Sequence, residues 1–316
     1  MSSLVIDRAA VVRHLDALSL MAWLRDGFVA QSQPEGPFGA EGVVRFPGPA
    51  SVLPAYARLV EDRLPGGEGE RVPLLQLFDL ESDRLLAVLD AGHLRSITSA
   101  VSCAIAADVL ARPEAVRVAI LGAGAHAGAQ LKSLRLVRSL EQVRVVDPDL
   151  ERMAFFARRI YQSLSLPVRM ADSVDEAVAD ADLVIAVTDA RAPLLFPGMV
   201  GPGCHLTSVG ADVPGGQELS ATLIRQSTFF CDDRRRALAP EELPSHQIGA
   251  EAIAAELGEV LAGRHPGRSA PEEVTLFASY GVPHQLLAAA WLVYVGARED
   301  DELPRLTLDP SGQPAS

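Results

Sequence analysis

The chain has 316 residues, 48% of them hydrophobic and 22% charged, the composition of a folded protein long enough for two domains. Its 28 Lys and Arg stand against 41 Asp and Glu, a net charge of −13. That balance excludes nucleic acid and an anionic membrane as the main partner, because both demand a basic face.

Residues 1 to about 31 carry apolar side chains at helical spacing (Val11, Leu15, Leu18, Met21, Leu24, Phe28), which predicts one or two helices. The opening MSSLVIDRAA lacks the basic start and apolar core of a secretory leader, so a cytoplasmic protein is expected. After a turn-rich break at 36–39 (GPFG), strands are expected at 42–46 and across 74–89, the latter a hairpin turning at 79–83 (DLESD). A polar loop, PGGEGE at 65–70, lies between them. Residues 93–111 (HLRSITSAVSCAIAADVLA) are small and helical, which calls for close approach of another backbone or a ligand, and Pro113 breaks the run. Beyond residue 115, apolar strands recur at 116–121, 143–146, near Val168, and at 183–187, 205–209, 228–231 and 274–278, with helix-like segments between. This alternation predicts an α/β fold, a doubly wound parallel sheet of Rossmann type. The basic run Arg234, Arg235 and Arg236 reads as a solvated loop, and the apolar run 286–295 as a buried helix half the length of a bilayer span. Residues 300–316 have lost periodicity and read as a loose tail. Cys103, Cys204 and Cys231 read as reduced, packed thiols; no zinc spacing exists and no metal is expected.

Function is concentrated at 116–147. The strand VRVAIL is followed by Gly122, Gly124 and Ala127 in a G-x-G-x-x-A pattern, with Ala125 and His126 completing the turn. The first glycine allows the tight turn, the second lets backbone N–H groups approach a diphosphate, and the small third residue lets helix pack on strand. Asp147, ending the second strand, is placed to accept hydrogen bonds from the adenosine ribose, which favours NAD over NADP. A bare G-x-G also occurs at Gly67/Gly69 and Gly201/Gly203, but only the middle one lies between a buried strand and a helix. The alternative is an α/β turn that binds no phosphate. Thr188 and Asp189, which follow the LVIAV strand, sit at the carboxyl edge where cofactor contacts collect. His126 and His205 are acid/base candidates; the stronger reading is a turn residue near the phosphates for His126 and a structural hydrogen bond for His205. No G-x-S-x-G elbow supports a hydrolase.

Several stretches together resemble the ornithine cyclodeaminase/mu-crystallin family. They are VLPAYARL, LLQLFDLESDRLLAVLDAGHL, ITSAVSCAIAADVLARP and, most specifically, GCHLTSVGADVPGGQEL with ELGEVLAGRHPGRSAPEEVTLFASYG; the likeness covers roughly residues 40 to 295. It implies a homodimer in which residues 1–112 with 285–316 form a smaller α+β domain for substrate binding and dimerisation, and 113–284 form the NAD-binding domain. It also implies a bound nicotinamide that oxidises an amine or reduces an imine on small amino or imino acids. By the same resemblance Asp212 is the aspartate beside the substrate nitrogen, a group such chemistry needs to move a proton there. The alternative for Asp212 is an Asx turn before Pro214. Arg45 matches an arginine that grips the substrate carboxylate bidentately, or is a surface residue at a strand end. Ser279 and Gly281 fit backbone contact near the nicotinamide.

Two departures stand out. The family's pocket lysine is missing, since the single lysine, Lys132, follows the glycine turn; Arg58 is the nearest match, with Arg63 the alternative. The second carboxylate-binding arginine of the family is replaced by Thr98, and Arg95 lies one helical turn away. Losing cations that each make charged hydrogen bonds worth about 1.5–3 kcal/mol points away from a free α-amino acid and toward a modified, larger or less acidic imine. Ala278 and Leu286 stand where relatives often carry acids, which weakens a cyclodeaminase reading. The expectation is an NAD-dependent oxidoreductase on a C–N bond. The alternatives are a redox-neutral cyclodeaminase with tightly held NAD and a non-catalytic dinucleotide-binding relative.

Overall fold

A computed structural model describes residues 2–33, 53–60, 73–209 and 216–307. The chain opens on a strand, β1 (Ser2–Ile6), before the helices α1 (Arg8–His14) and α2 (Ala17–Gln31). Each helix starts at a capping aspartate: Asp7 accepts the Ala10 N–H at 2.8 Å and Asp16 the Ser19 N–H at 2.7 Å. β1 corrects the purely helical expectation for this stretch; five residues show too little periodicity, and only its partners fix it. Next come β2 (Ala55–Val60), β3 (Leu74–Asp79), β4 (Leu85–Asp90) and the long helix α3 (Ala91–Leu110). β3 and β4 form the expected hairpin, closed by Asp79 accepting the Ser82 N–H at 2.9 Å and by Asp83 at φ 54°. The expected break at 36–39, strand at 42–46 and loop at 65–70 lie outside the described residues.

There follow β5 (Arg117–Leu121), α4 (Ala127–Leu134), β6 (Gln142–Val146), α5 (Leu150–Leu164), β7 (Val168–Met170), α6 (Val174–Val178) and β8 (Leu183–Ala186). Then come β9 (His205–Ser208), α7 (Ala221–Gln226), β10 (Thr228–Cys231), α8 (Arg234–Ala237), β11 (Ile253–Glu256), α9 (Leu257–Leu261) and β12 (Thr275–Ala278). The last elements are α10 (Pro283–Ala297) and β13 (Arg305–Thr307). The chain divides into two compact units, Met1–Thr98 with Pro283–Ser316, and Ser99–Val282.

The first unit holds a mixed five-stranded sheet in the order β13-β1-β4-β3-β2. β13 corrects the expectation of a loose tail as far as residue 307: it pairs antiparallel with β1, Ser2 opposite Thr307. α10 packs on α1, α2 and the sheet and is buried around most of its circumference, so its sequence is a continuous apolar run without helical period.

The second unit holds eight parallel strands in the order β11-β10-β12-β9-β8-β5-β6-β7. In β5, Val118 and Ile120 enter one core while Ala119 and Leu121 enter another. A strand buried on both faces has no polar side, which is why it reads as unbroken hydrophobic sequence. β8 divides the same way, Leu183 and Ile185 against Val184 and Ala186. β11 departs from the expected pattern, its Ile-Ala-Ala-Glu alternating between buried and open at the sheet margin. The run Arg234 to Arg236 is not a free loop but forms α8, capped by Asp233. From β5 the chain runs outward to β6 and β7, then returns to the other side of β5 at β8. Such a reversal opens a crevice at the carboxyl ends of the two strands. No described helix is long and apolar enough to cross a membrane.

The opposite, amino edge of this sheet is tied by Asp182. Its buried carboxylate accepts from Arg112 at 2.9 Å, Arg117 at 2.8 Å and the N–H groups of Val116 and Arg117. Burial works against the charge, but Arg117 and the two backbone donors outweigh it and hold the carboxyl at about 2 rather than 3.8. The folded value lies below the unfolded one, so the stabilisation, about 2 kcal/mol, is complete above about pH 4 and vanishes as the pH falls through about 2. In urea unfolding followed by circular dichroism, the advantage of the native chain over Asp182→Asn should therefore be full at neutral pH and shrink below about pH 3.

Candidate active site

The turn after β5 is built around Gly122, whose φ is 95°. A Cβ there would lie 2.5 Å from the Val187 carbonyl oxygen and 2.9 Å from Thr188 Cγ2, so no side chain fits. The Gly122 N–H donates to the Val146 carbonyl at 2.9 Å and the Val187 N–H to the Leu121 carbonyl at 3.0 Å, wedging the turn between the ends of β6 and β8. At Gly124 a Cβ would meet nothing among the described residues within 4 Å, so this face of the turn leaves room for close approach of a ligand. Ala125 is exposed, His126 half-buried, and Ala127 fully buried beneath them. His126 occupies the position before α4 in helical conformation, and among the described residues no side chain caps that helix. Its first N–H groups and the positive end of its dipole are left for an anion. These features fit the diphosphate of a dinucleotide.

Asp147 follows β6 and is buried. Its Oδ2 accepts the Ala123 N–H at 2.8 Å and its Oδ1 the Asp149 N–H at 2.9 Å. Arg152 on α5 brings Nη1 to 3.5 Å of Oδ2. The carboxylate thus holds the glycine turn in shape while Oδ1 retains a lone pair for a ribose hydroxyl.

At the end of β8 Thr188 is half-buried and Asp189 exposed. Thr188 is fixed by Glu218, a buried residue that sequence reasoning passes over. Glu218 Oε1 accepts the Thr188 N–H at 2.7 Å and its hydroxyl at 3.1 Å, while Oε2 accepts the Ser208 hydroxyl at 2.7 Å. Burial pushes the Glu218 carboxyl up, against the pull of these donors. One carboxylate therefore joins the ends of β8 and β9, and the Ser279 N–H donates to the Ser208 carbonyl at 3.0 Å, joining β12 to the same line. Ser279 and Gly281 in turn donate to Asp232, which follows β10. The signal for both missed acids is position: Glu218 sits in the GADVPGGQEL stretch, and Asp232 directly follows a buried parallel strand. His205 is fully buried, with Nδ1 2.9 Å from the Thr275 hydroxyl; burial lowers its pKa to about 3 and keeps it neutral.

The structure thus brings Gly122, Gly124, Ala125, His126, Ala127, Asp147, Thr188, Asp189, Ser279 and Gly281 to the carboxyl edge of one parallel sheet. Arg58, Arg95 and Thr98 belong to the other unit. Arg58 is exposed on β2 opposite Gln76, and Arg95 is exposed on α3. The buried Thr98 hydroxyl turns back on its own helix, 2.8 Å from the Leu94 carbonyl and 3.1 Å from that of Arg95. Arg45 and Asp212 lie outside the described residues. Gly122→Ala should lower the melting temperature, at a cost of roughly 1–3 kcal/mol for the positive φ alone, and should abolish dinucleotide binding measured by calorimetry.

Residues 63–301 match the family model described as ornithine cyclodeaminase/mu-crystallin. The mouse (Mus musculus) ketimine reductase mu-crystallin is 35% identical over 264 residues, covering 80% of this chain and 82% of its own. Among solved structures, an archaeal alanine dehydrogenase dimer with bound NAD superposes with a TM-score of 0.85 at 24% identity, covering 98% of this chain and 100% of its own. A Thermococcus litoralis Δ1-pyrroline-2-carboxylate reductase in complex with NADH and L-proline gives 0.79 at 23% identity, covering 94% and 98%. With its glycine turn, its reversed strand order and a family match across most of its length, the chain belongs to the ornithine cyclodeaminase/mu-crystallin family.

Proposed function

We propose that the protein is an NAD-dependent oxidoreductase acting on a carbon–nitrogen bond, reducing a small imine or imino acid or oxidising the corresponding amine. The observation that carries this reading is the open face of Gly124 beside the uncapped α4, with Asp147 held against the same turn. The relatives named ketimine reductase and Δ1-pyrroline-2-carboxylate reductase support the reaction class. When bound, the nicotinamide supplies or takes the hydride at the carbon of the C–N bond.

The chain's own residues do the rest. The turn 122–127 takes the diphosphate on its N–H groups. Asp147 takes the adenosine ribose and favours NAD, because a 2′-phosphate would meet its negative charge. Thr188, Asp189, Ser279 and Gly281 line the rim toward the nicotinamide. Asp212 moves a proton at the substrate nitrogen, and Arg45 holds an anionic end of the substrate. Arg58 stands in for the missing lysine of the pocket and Arg95 for the arginine whose place Thr98 takes. Residues 1–112 with 285–316 serve substrate binding and dimerisation, 113–284 serve the cofactor, and the enzyme works as a cytoplasmic homodimer. An acidic surface leaves small molecules, not nucleic acid or membrane, as its partners.

The test is NADH absorbance with cyclic imino acids and with keto acid plus amine: NADH consumption is expected. Ammonia release from a diamino acid with no net change in NADH would overturn it in favour of a cyclodeaminase. Asp212→Asn should lower kcat by about 10²–10⁴-fold while leaving the NADH dissociation constant nearly unchanged, since proton transfer, not cofactor binding, is removed.

A further inference from the structure

The segment 232–236, DDRRR, has no part in the site as read from sequence, yet it grips the loop that follows β12. We propose that Asp232 is a positioning residue for the cofactor site: its carboxylate, with Arg236, holds loop 279–281 in the shape that receives the nicotinamide end of the dinucleotide. The proposal rests on the reading of Ser279 and Gly281 given above.

Asp232 is 1% exposed. Its Oδ2 accepts the Ser279 hydroxyl at 3.1 Å and the Gly281 N–H at 2.8 Å, while Oδ1 accepts the Tyr280 N–H at 3.0 Å. Three consecutive residues therefore converge on one carboxylate. Such convergence needs the tight curl that Gly281 provides at φ 71°. On the carbonyl side of the same loop, Arg236 donates Nη1 to Tyr280 at 3.1 Å and to Gly281. Arg236 is aimed there because Asp233 caps α8, accepting the N–H groups of Arg235 at 2.8 Å and Arg236 at 3.1 Å. Adjacent acids thus divide the work: Asp233 orients the helix that presents the arginine, and Asp232 takes the loop's own donors. Residue 281 is followed closely by the division between the two compact units at Val282/Pro283, so the loop is fixed just before the chain leaves the parallel sheet.

A carboxylate suits this place better than an amide. Asparagine has a single acceptor oxygen, and its NH2 would confront one of the three donors. Among the described residues the groups that face Asp232 include Asp233 beside it, the Cys231 and Cys103 thiols, and Tyr280, which itself faces Glu242, with Arg236 reaching the loop from α8. Burial raises the Asp232 carboxyl to about 6 against the pull of its three donors. The grip is therefore strongest well above pH 6 and weakens as the pH falls through it, where a proton occupies one of the accepting oxygens.

The test uses the full-length chain, with NADH binding followed by fluorescence at pH 7.5 and 5.5. Asp232→Asn should weaken NADH binding about tenfold at pH 7.5, the loss of one charged hydrogen bond. The native protein should weaken toward pH 5.5, whereas Asp232→Asn should show no such step. Ser279→Ala removes a single donor and should weaken binding less than Asp232→Asn. In the protein without ligand, hydrogen exchange of the peptide spanning 276–282 should accelerate in Asp232→Asn while that of 117–131 does not. Unchanged exchange together with native NADH affinity and an unaltered pH step in Asp232→Asn would overturn the proposal. If the native protein binds no NADH, the cofactor reading fails and the exchange measurement alone decides whether Asp232 holds the loop. If Asp232→Asn does not fold, a native pH step with weakened binding in Ser279→Ala supports the proposal, and the absence of both overturns it.

Discussion

Where β5 ends, the backbone of Gly122 comes so near the Val187 carbonyl that a single added carbon would sit 2.5 Å from its oxygen. That approach sets the geometry of the whole carboxyl edge. It brings the ends of β5 and β8 together at the place where the strand order reverses, and it turns the chain directly into α4. The helix then presents its uncapped N-terminus to the crevice, and Ala123 reaches Asp147 on the far side of the turn. Any residue other than glycine would have to push β8 away, and the contacts that extend from Thr188 to Ser208 and Ser279 would go with it.

Asp182 at the amino edge of the parallel sheet and Glu218 and Asp232 at the carboxyl edge are buried carboxylates held in different ways. At the amino edge Asp182 meets two guanidinium groups, so its charge is neutralised in place and its pKa falls. At the carboxyl edge Glu218 and Asp232 meet hydroxyls and backbone N–H groups, and desolvation wins: both are pushed up. The first arrangement is a structural tie. The second fixes strand ends through hydroxyls and backbone N–H groups, and the donors of the glycine turn and of α4 are the features that attract an anion.

The parts of the molecule that were readable from residues are those encoded locally. A run buried on both faces, Val118 to Leu121, followed at once by glycines and a helix, carries its own evidence within thirty residues, and so does the hairpin with its Asp79 turn. The strands that escaped, β1, β2, β11 and β13, lack a run buried on both faces, and each is fixed by hydrogen bonds to a partner strand. The same holds for single residues. Glu218 meets Thr188 across 30 positions and Asp232 meets Gly281 across 49, distances over which no spacing rule operates.

The sequence by itself determined the Rossmann architecture and the glycine turn, because hydrophobic period and turn chemistry are properties of contiguous residues, and the resemblance of several stretches pointed to the family. Only the tertiary structure decided that Glu218 and Asp232 are the residues that lock the strand ends, and that an apparently solvated Arg run is a helix aimed at a loop. Both decisions depend on which strand lies beside which. In a doubly wound sheet that order is set by crossovers and packing, not by proximity along the chain.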